Sequence, residues 1–140
     1  MICIIVSVMG LIICSVTDIK TKRIYILPCL LMIIFGTAVN VRDEWQNYIA
    51  GIGIGLLLFL FSITTKQAIG YGDALTILSL GCLIRSADIF HIVFLAFVLV
   101  IICGIIGGIR KKISLKSELP FVPFLLISEI IILLNGGIQF

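Results

Sequence analysis

The stretch IFHIVFLAFVLVIICGIIGGI, residues 89–109, contains no Asp, Glu, Lys or Arg and stops at Arg110-Lys111-Lys112. An unbroken apolar run of this kind is what a helix needs to cross a bilayer, about 20 residues. Composition extends the conclusion to the whole chain: 61% of its 140 residues are hydrophobic and 12% are charged, with a mean hydropathy of +1.34, far outside soluble averages. An integral membrane protein is implied, and a chain of this length supplies at most about six crossings joined by short loops. A second, soluble domain does not fit, so residues 1–140 read as one membrane-embedded domain.

Outward from that run lie five others. The first, Ile2–Thr17, is ended by the polar stretch Asp18–Arg23; with no basic segment before it and no small-residue cleavage site, it reads as the first membrane helix and not as a removable signal. The second extends from Ile24 to about Val41. The third, Tyr48–Thr64, follows the polar loop Arg42–Asn47, and Trp45 and Tyr48 suit an interfacial aromatic anchor. The fourth starts at Asp73 and stays apolar only to Ile84, too short for a hydrocarbon core of about 30 Å. Continuing it through Arg85, Ser86 and Ala87 makes up the difference and leaves Asp73 slightly below the membrane surface. The sixth runs from about Leu119 to Leu134. The predicted fold is all-α, a bundle of six transmembrane helices.

Charge orients the bundle. Assigning alternate loops to opposite sides puts Lys20, Lys22, Arg23, Lys66, Arg110, Lys111, Lys112 and Lys116 on one side and only Arg42 and Arg85 on the other. The basic side faces the cytoplasm, so both termini lie outside and the protein is expected as a multi-pass protein of the inner (plasma) membrane. The net charge of +3 then serves topology and anionic headgroups, not nucleic acid. Asp18 and Asp73 fall on the same cytoplasmic face although 54 positions separate them.

A carboxylate at such a boundary is costly unless it is useful. Two of them can hydrolyse a peptide bond without a metal: one deprotonates water while its protonated partner polarises the carbonyl, the pair sharing one proton. Either acid can start as the base. The second acid closes the string Gly70-Tyr71-Gly72-Asp73, whose glycines permit unusual backbone angles and close approach of a substrate strand. Taken singly, Asp73 reads equally well as the N-cap of the fourth helix, and Asp18 as an ion pair with Lys20 or Lys22.

Asp18-Ile19-Lys20-Thr21-Lys22-Arg23-Ile24 resembles the Asp-containing basic motif of type IV prepilin peptidases, and Gly70-Tyr71-Gly72-Asp73 resembles the Gly-x-Gly-Asp motif of that family. Leu119-Pro120-Phe121-Val122-Pro123-Phe124-Leu125 is similar to the proline and phenylalanine stretch that opens the family's last helix, and Leu80-Gly81 matches in the fourth. The resemblance implies a membrane aspartyl protease with Asp18 and Asp73 catalytic and Gly70, Gly72, Lys20, Lys22 and Arg23 supporting them. It implies removal of a short basic leader from a prepilin-like precursor at the cytoplasmic face, before the mature helix enters a type IV pilus or a secretion or uptake machine. Tyr25-Ile26 stands where the family often has Pro-Asn, Ala74-Leu75-Thr76 where Val-Lys-Leu is common, and Val122 where Gly is common. These departures bear on substrate preference. Longer members add a domain with paired Cys-x-x-Cys motifs and methylate the new N-terminus. The expectation for this chain is a peptidase-only form, with no zinc, no methyl donor and no other cofactor.

The remaining features have plainer readings. Cys3, Cys14, Cys29, Cys82 and Cys103 form no Cys-x-x-Cys pair and read as apolar packing residues. Gly51 with Gly55 and Gly104 with Gly108 make Gly-x-x-x-Gly faces suited to close helix packing. His91 has no second ligand near it in sequence. Glu129, inside the sixth run, is expected to face the bundle interior in a structural hydrogen bond, while Pro28, Pro120 and Pro123 kink or start helices. Glu118 reads as a solvated loop residue that could attract a basic leader. Prepilin-like protein and membrane lipid are the expected partners, and no feature specifies an oligomeric state. Two other functions fit the same scaffold: a small transporter using Asp18, Asp73 and Glu129 to bind or relay ions, and a relative that binds pilin-like helices without cutting them.

Overall fold

The computed structural model describes residues 2–21, 25–40, 46–64, 70–109 and 120–136. Among them are six α-helices and no strand: α1 (Ile2–Thr21), α2 (Ile26–Asn40), α3 (Gln46–Thr64), α4 (Tyr71–Leu83), α5 (Ser86–Ile109) and α6 (Val122–Leu134). Lys22, Arg23, Trp45, Lys66, Arg110, Lys111, Lys112, Lys116 and Glu118 lie outside the described residues, as does most of the loop charge behind the predicted orientation.

Three helices, α1, α3 and α5, are long and apolar enough to cross a membrane, where the sequence predicts six crossings. The others have 15, 13 and 13 residues, about 20 Å each at 1.5 Å per residue. The clearest correction concerns α4. It stops at Leu83 because Ile84 turns extended (φ −115°, ψ 145°), and it does not continue through Ala87. The Arg85 carbonyl instead accepts the N–H groups of Asp88 and Ile89, opening α5. A short helix is tolerable there because α4 is wrapped by protein, packing on α1, α2, α3 and α5. Ala74, Thr76, Ile77 and every residue from Ser79 to Leu83 are buried. Its two buried hydroxyls return to the helix backbone, Thr76 donating to the Gly72 carbonyl at 2.9 Å and Ser79 to the Thr76 carbonyl at 2.7 Å.

Small residues bring the other helices against α4. A Cβ on Gly55 would lie 2.4 Å from Leu78 Cα, one on Gly81 would lie 2.6 Å from the Gly51 carbonyl carbon, and one on Gly36 would lie 2.6 Å from the Cys82 oxygen. The first Gly-x-x-x-Gly face is therefore a packing face, with α3 backbone lying directly on α4. In the second, nothing lies within 4 Å of a Cβ at Gly108. At its end α4 leaves carbonyls without helical partners, and the buried Asn40 amide of α2 donates to one of them, Cys82, at 2.8 Å. Nearby the Ser86 hydroxyl donates to the Asn47 carbonyl and accepts the Gly51 N–H, tying α5 to α3.

Candidate active site

α1 buries Ser7, Gly10, Leu11, Cys14, Ser15 and Asp18, a spacing of three and four that marks one helical face. Asp18 is thus a helix residue near the end of α1, not part of a loop as the apolar run suggested. It is only 7% exposed. Its carboxylate accepts the Val122 N–H at 3.2 Å and a hydrogen bond from the Phe121 backbone, at the start of α6. Those donors belong to the first turn, where N–H groups have no helical acceptor and the helix dipole favours an anion. Lys20, two residues on, is exposed, and residues two apart do not face each other on a helix. The sequence reading of Asp18 as an ion pair with Lys20 gives way to this helix-terminus contact, while the other partner it named, Lys22, lies outside the described residues.

α6 can start there because of its prolines. Pro123 sits within the first helical positions, where a missing N–H costs nothing, and Val122 remains the donor. Sequence reasoning had these prolines kink or start the helix, and Pro123 does sit at its start, but the use of that start as a clamp on Asp18 was missed. Backbone donors leave no side-chain signature, so the signal available was the Ser7, Cys14, Asp18 periodicity together with the position of Pro123.

Asp73 stands in the first turn of α4, three residues inside the N-cap, which is Gly70 and makes no side-chain cap bond. The alternative of Asp73 as N-cap is overturned. Gly70 has φ −58° and ψ 135°, ordinary extended backbone, and the one described glycine with positive φ is Gly136. The predicted role of Gly70 and Gly72 in unusual backbone angles is therefore not observed. Gly70 instead leaves room: a Cβ there would come within 3.1 Å of Asp73 Oδ2.

α1 and α4 pack together, and the Asp18 charge acts on Asp73 through space. Two carboxyls distant in sequence thus share one end of the bundle. Beneath them Cys14 and Cys29 lie with sulfurs 3.9 Å apart, and the Thr76 hydroxyl is 3.6 Å from Cys29 Sγ, so the floor of the site is closed by small, weakly polar groups from α1, α2 and α4. A cavity of about 500 Å³ between Asn47, Arg85 and Asp88 opens at the opposite end of the bundle. Among the described residues no three His, Cys, Asp or Glu side chains gather closely enough to hold a metal ion. His91 is exposed, its Nδ1 2.7 Å from the Ala87 carbonyl of its own helix.

Glu129 is fully buried and receives a hydrogen bond from the Ser7 hydroxyl across the α1–α6 interface. This is the interior structural bond expected from the sequence, with Ser7 as the partner the sequence did not name.

No curated protein and no solved structure matches the chain. The model of the type IV leader peptidase family does, over residues 5–105, a stretch that includes Asp18 and Gly70–Asp73 and ends before α6. With a family match over most of its length and two acids converging from the matched helices, the chain belongs to the type IV leader peptidase family, a family of peptidases.

Proposed function

We propose that the protein is a membrane aspartic endopeptidase that cuts the short basic leader from prepilin-like precursors at the cytoplasmic face of the membrane. The observation that supports this is the packing of α1 on α4, with Asp18 near the C-terminal end of α1 and Asp73 in the first turn of α4, at one end of the bundle. Asp18 and Asp73 are the catalytic pair, and their surroundings differ. The Val122 amide stabilises a carboxylate on Asp18, which suits it to take the proton from water. Asp73, half-buried beside Gly70 and with no such backbone donor among the described residues, is the acid that polarises the scissile carbonyl and then protonates the leaving amine. A carboxyl pair that shares one proton is in the state in which one acts as base and the other as acid.

The six helices form one membrane-embedded unit, with α4 shielded from lipid by its neighbours. Backbone polar groups at membrane depth are tolerated where protein covers them, which accounts for the extended residue between α4 and α5. Lys20 and the basic residues that follow Asp18 in sequence mark the cytoplasmic side.

The test is coexpression with small precursors bearing a basic leader before a hydrophobic helix, followed by mobility shift and N-terminal sequencing of the product. Shortening of the precursor with a new N-terminus at the leader junction is expected. A precursor that binds but keeps its length makes the protein a non-cleaving relative, and one that is ignored while an ion gradient is dissipated makes it a transporter.

A further inference from the structure

Glu129 is the described residue whose burial is hardest to explain by stability. It is 0% exposed in the middle of α6, and while Oε1 is bonded to Ser7, Oε2 has no partner. A buried polar group left half satisfied costs more than an apolar side chain of similar volume, and the best attested use of such a group is to set register between helices.

The α1–α6 interface has two polar ties. Ser7 meets Glu129, and Asp18 meets the Val122 N–H. Ser7 and Asp18 are about three turns apart and Val122 and Glu129 about two, at 3.6 residues per turn, so each pair lines a single face of its helix. Two ties on one pair of faces fix both the depth and the rotation of α6 against α1. Removing the upper tie leaves apolar side chains, which set no unique register between the two helices.

We infer that Glu129, through Ser7, is a positioning residue: it holds α6 in the register that places the Val122 amide on Asp18. This rests on the proposed role of Asp18 as a catalytic acid, and names a residue outside the family match that the same site depends on.

The experiment uses the full-length protein in detergent with a prepilin-like peptide, comparing wild type with Glu129→Leu, Glu129→Gln and Ser7→Ala. Cleavage kinetics are measured together with hydrogen–deuterium exchange of the Val122 amide, which reports the lower tie without reference to catalysis. Expected for Glu129→Leu and Ser7→Ala are a fall in kcat of about tenfold or more, little change in KM, unchanged helical content and faster exchange at Val122. Glu129→Gln, which still accepts from Ser7, keeps wild-type kcat and exchange. Full-speed cleavage by Glu129→Leu overturns the inference, as does a Gln variant as impaired as the Leu variant, since the acid itself would then be needed. Should the Leu variant fail to fold, Ser7→Ala decides alone: normal kcat or unchanged exchange at Val122 sinks the proposal. An Asp18→Asn control that cuts at full speed removes the catalytic reading of Asp18 instead, and the exchange data still judge the tie.

Discussion

The α1–α6 seam and the α3–α4 seam join helices by opposite means. Between α3 and α4 the helices touch through missing side chains, with Gly51, Gly55 and Gly81 letting backbone lie on backbone. Between α1 and α6 they touch through buried hydrogen bonds, Ser7 to Glu129 and Val122 to Asp18. The first arrangement gives rigidity wherever the small residues meet. The second selects one register out of several, and it is the seam that carries an acid of the proposed site. A scaffold helix such as α4 is held by shape, whereas a helix that delivers a donor to a reacting group is held by polar ties.

The sharpest way to break the comparison is at the acids. Asp18→Asn and Asp73→Asn are each expected to reduce leader removal by about 10³-fold or more, measured by precursor mobility, while the folded protein purifies normally. Retention of cleavage by either variant detaches the polar seam from catalysis. Next in size is the glycine seam. Gly55→Ala puts a methyl 2.4 Å from Leu78 Cα, against backbone that has nowhere to yield, and a loss of about 1–3 kcal/mol is expected from overpacking. Thermal unfolding in detergent measures it, and an unchanged midpoint shows that α3 can move off α4 freely.

A smaller loss tests a polar tie outside the site. Asn40→Ala removes the donor to the Cys82 carbonyl at the end of α4, leaving that buried acceptor unpaired at a cost of about 1–3 kcal/mol, with activity at lower temperature retained. The smallest effect is at Gly70. Gly70→Ala brings a Cβ within 3.1 Å of Asp73 Oδ2, a shift of a few tenths of an ångström for that carboxyl, and a fall in kcat well under the roughly hundredfold cost of a full 1 Å misplacement. An Ala variant as inactive as Asp73→Asn would mean that Gly70 meets the substrate directly.

Much of the bundle was legible in the chain because hydropathy and helical spacing are local. The runs ending near Asn40, Thr64 and Leu134 could be bounded within a few residues, and the small-residue face of Gly51 and Gly55 announced close packing. Boundaries failed where tertiary contacts set them. The end of α4 at Leu83 depends on Asn40, a residue of another helix, and α1 runs through Asp18 to Thr21 because α6 supplies donors to that side chain. An open glycine such as Gly108 looks the same in sequence as one that packs, because the partner surface is not written beside it.

Sequence by itself determined that the chain is an apolar helical protein, which segments are helices and which acids are available at their ends, since each of these follows from side-chain type and period along one segment. Tertiary structure alone decided that the ends of α1 and α4 carrying Asp18 and Asp73 lie at one end of the bundle, that the α6 N-terminus grips one of them, and that Glu129 reaches Ser7. The reason is physical: such contacts join residues far apart in the chain, and their geometry exists only once packing has chosen the depth and rotation of each helix against its neighbours.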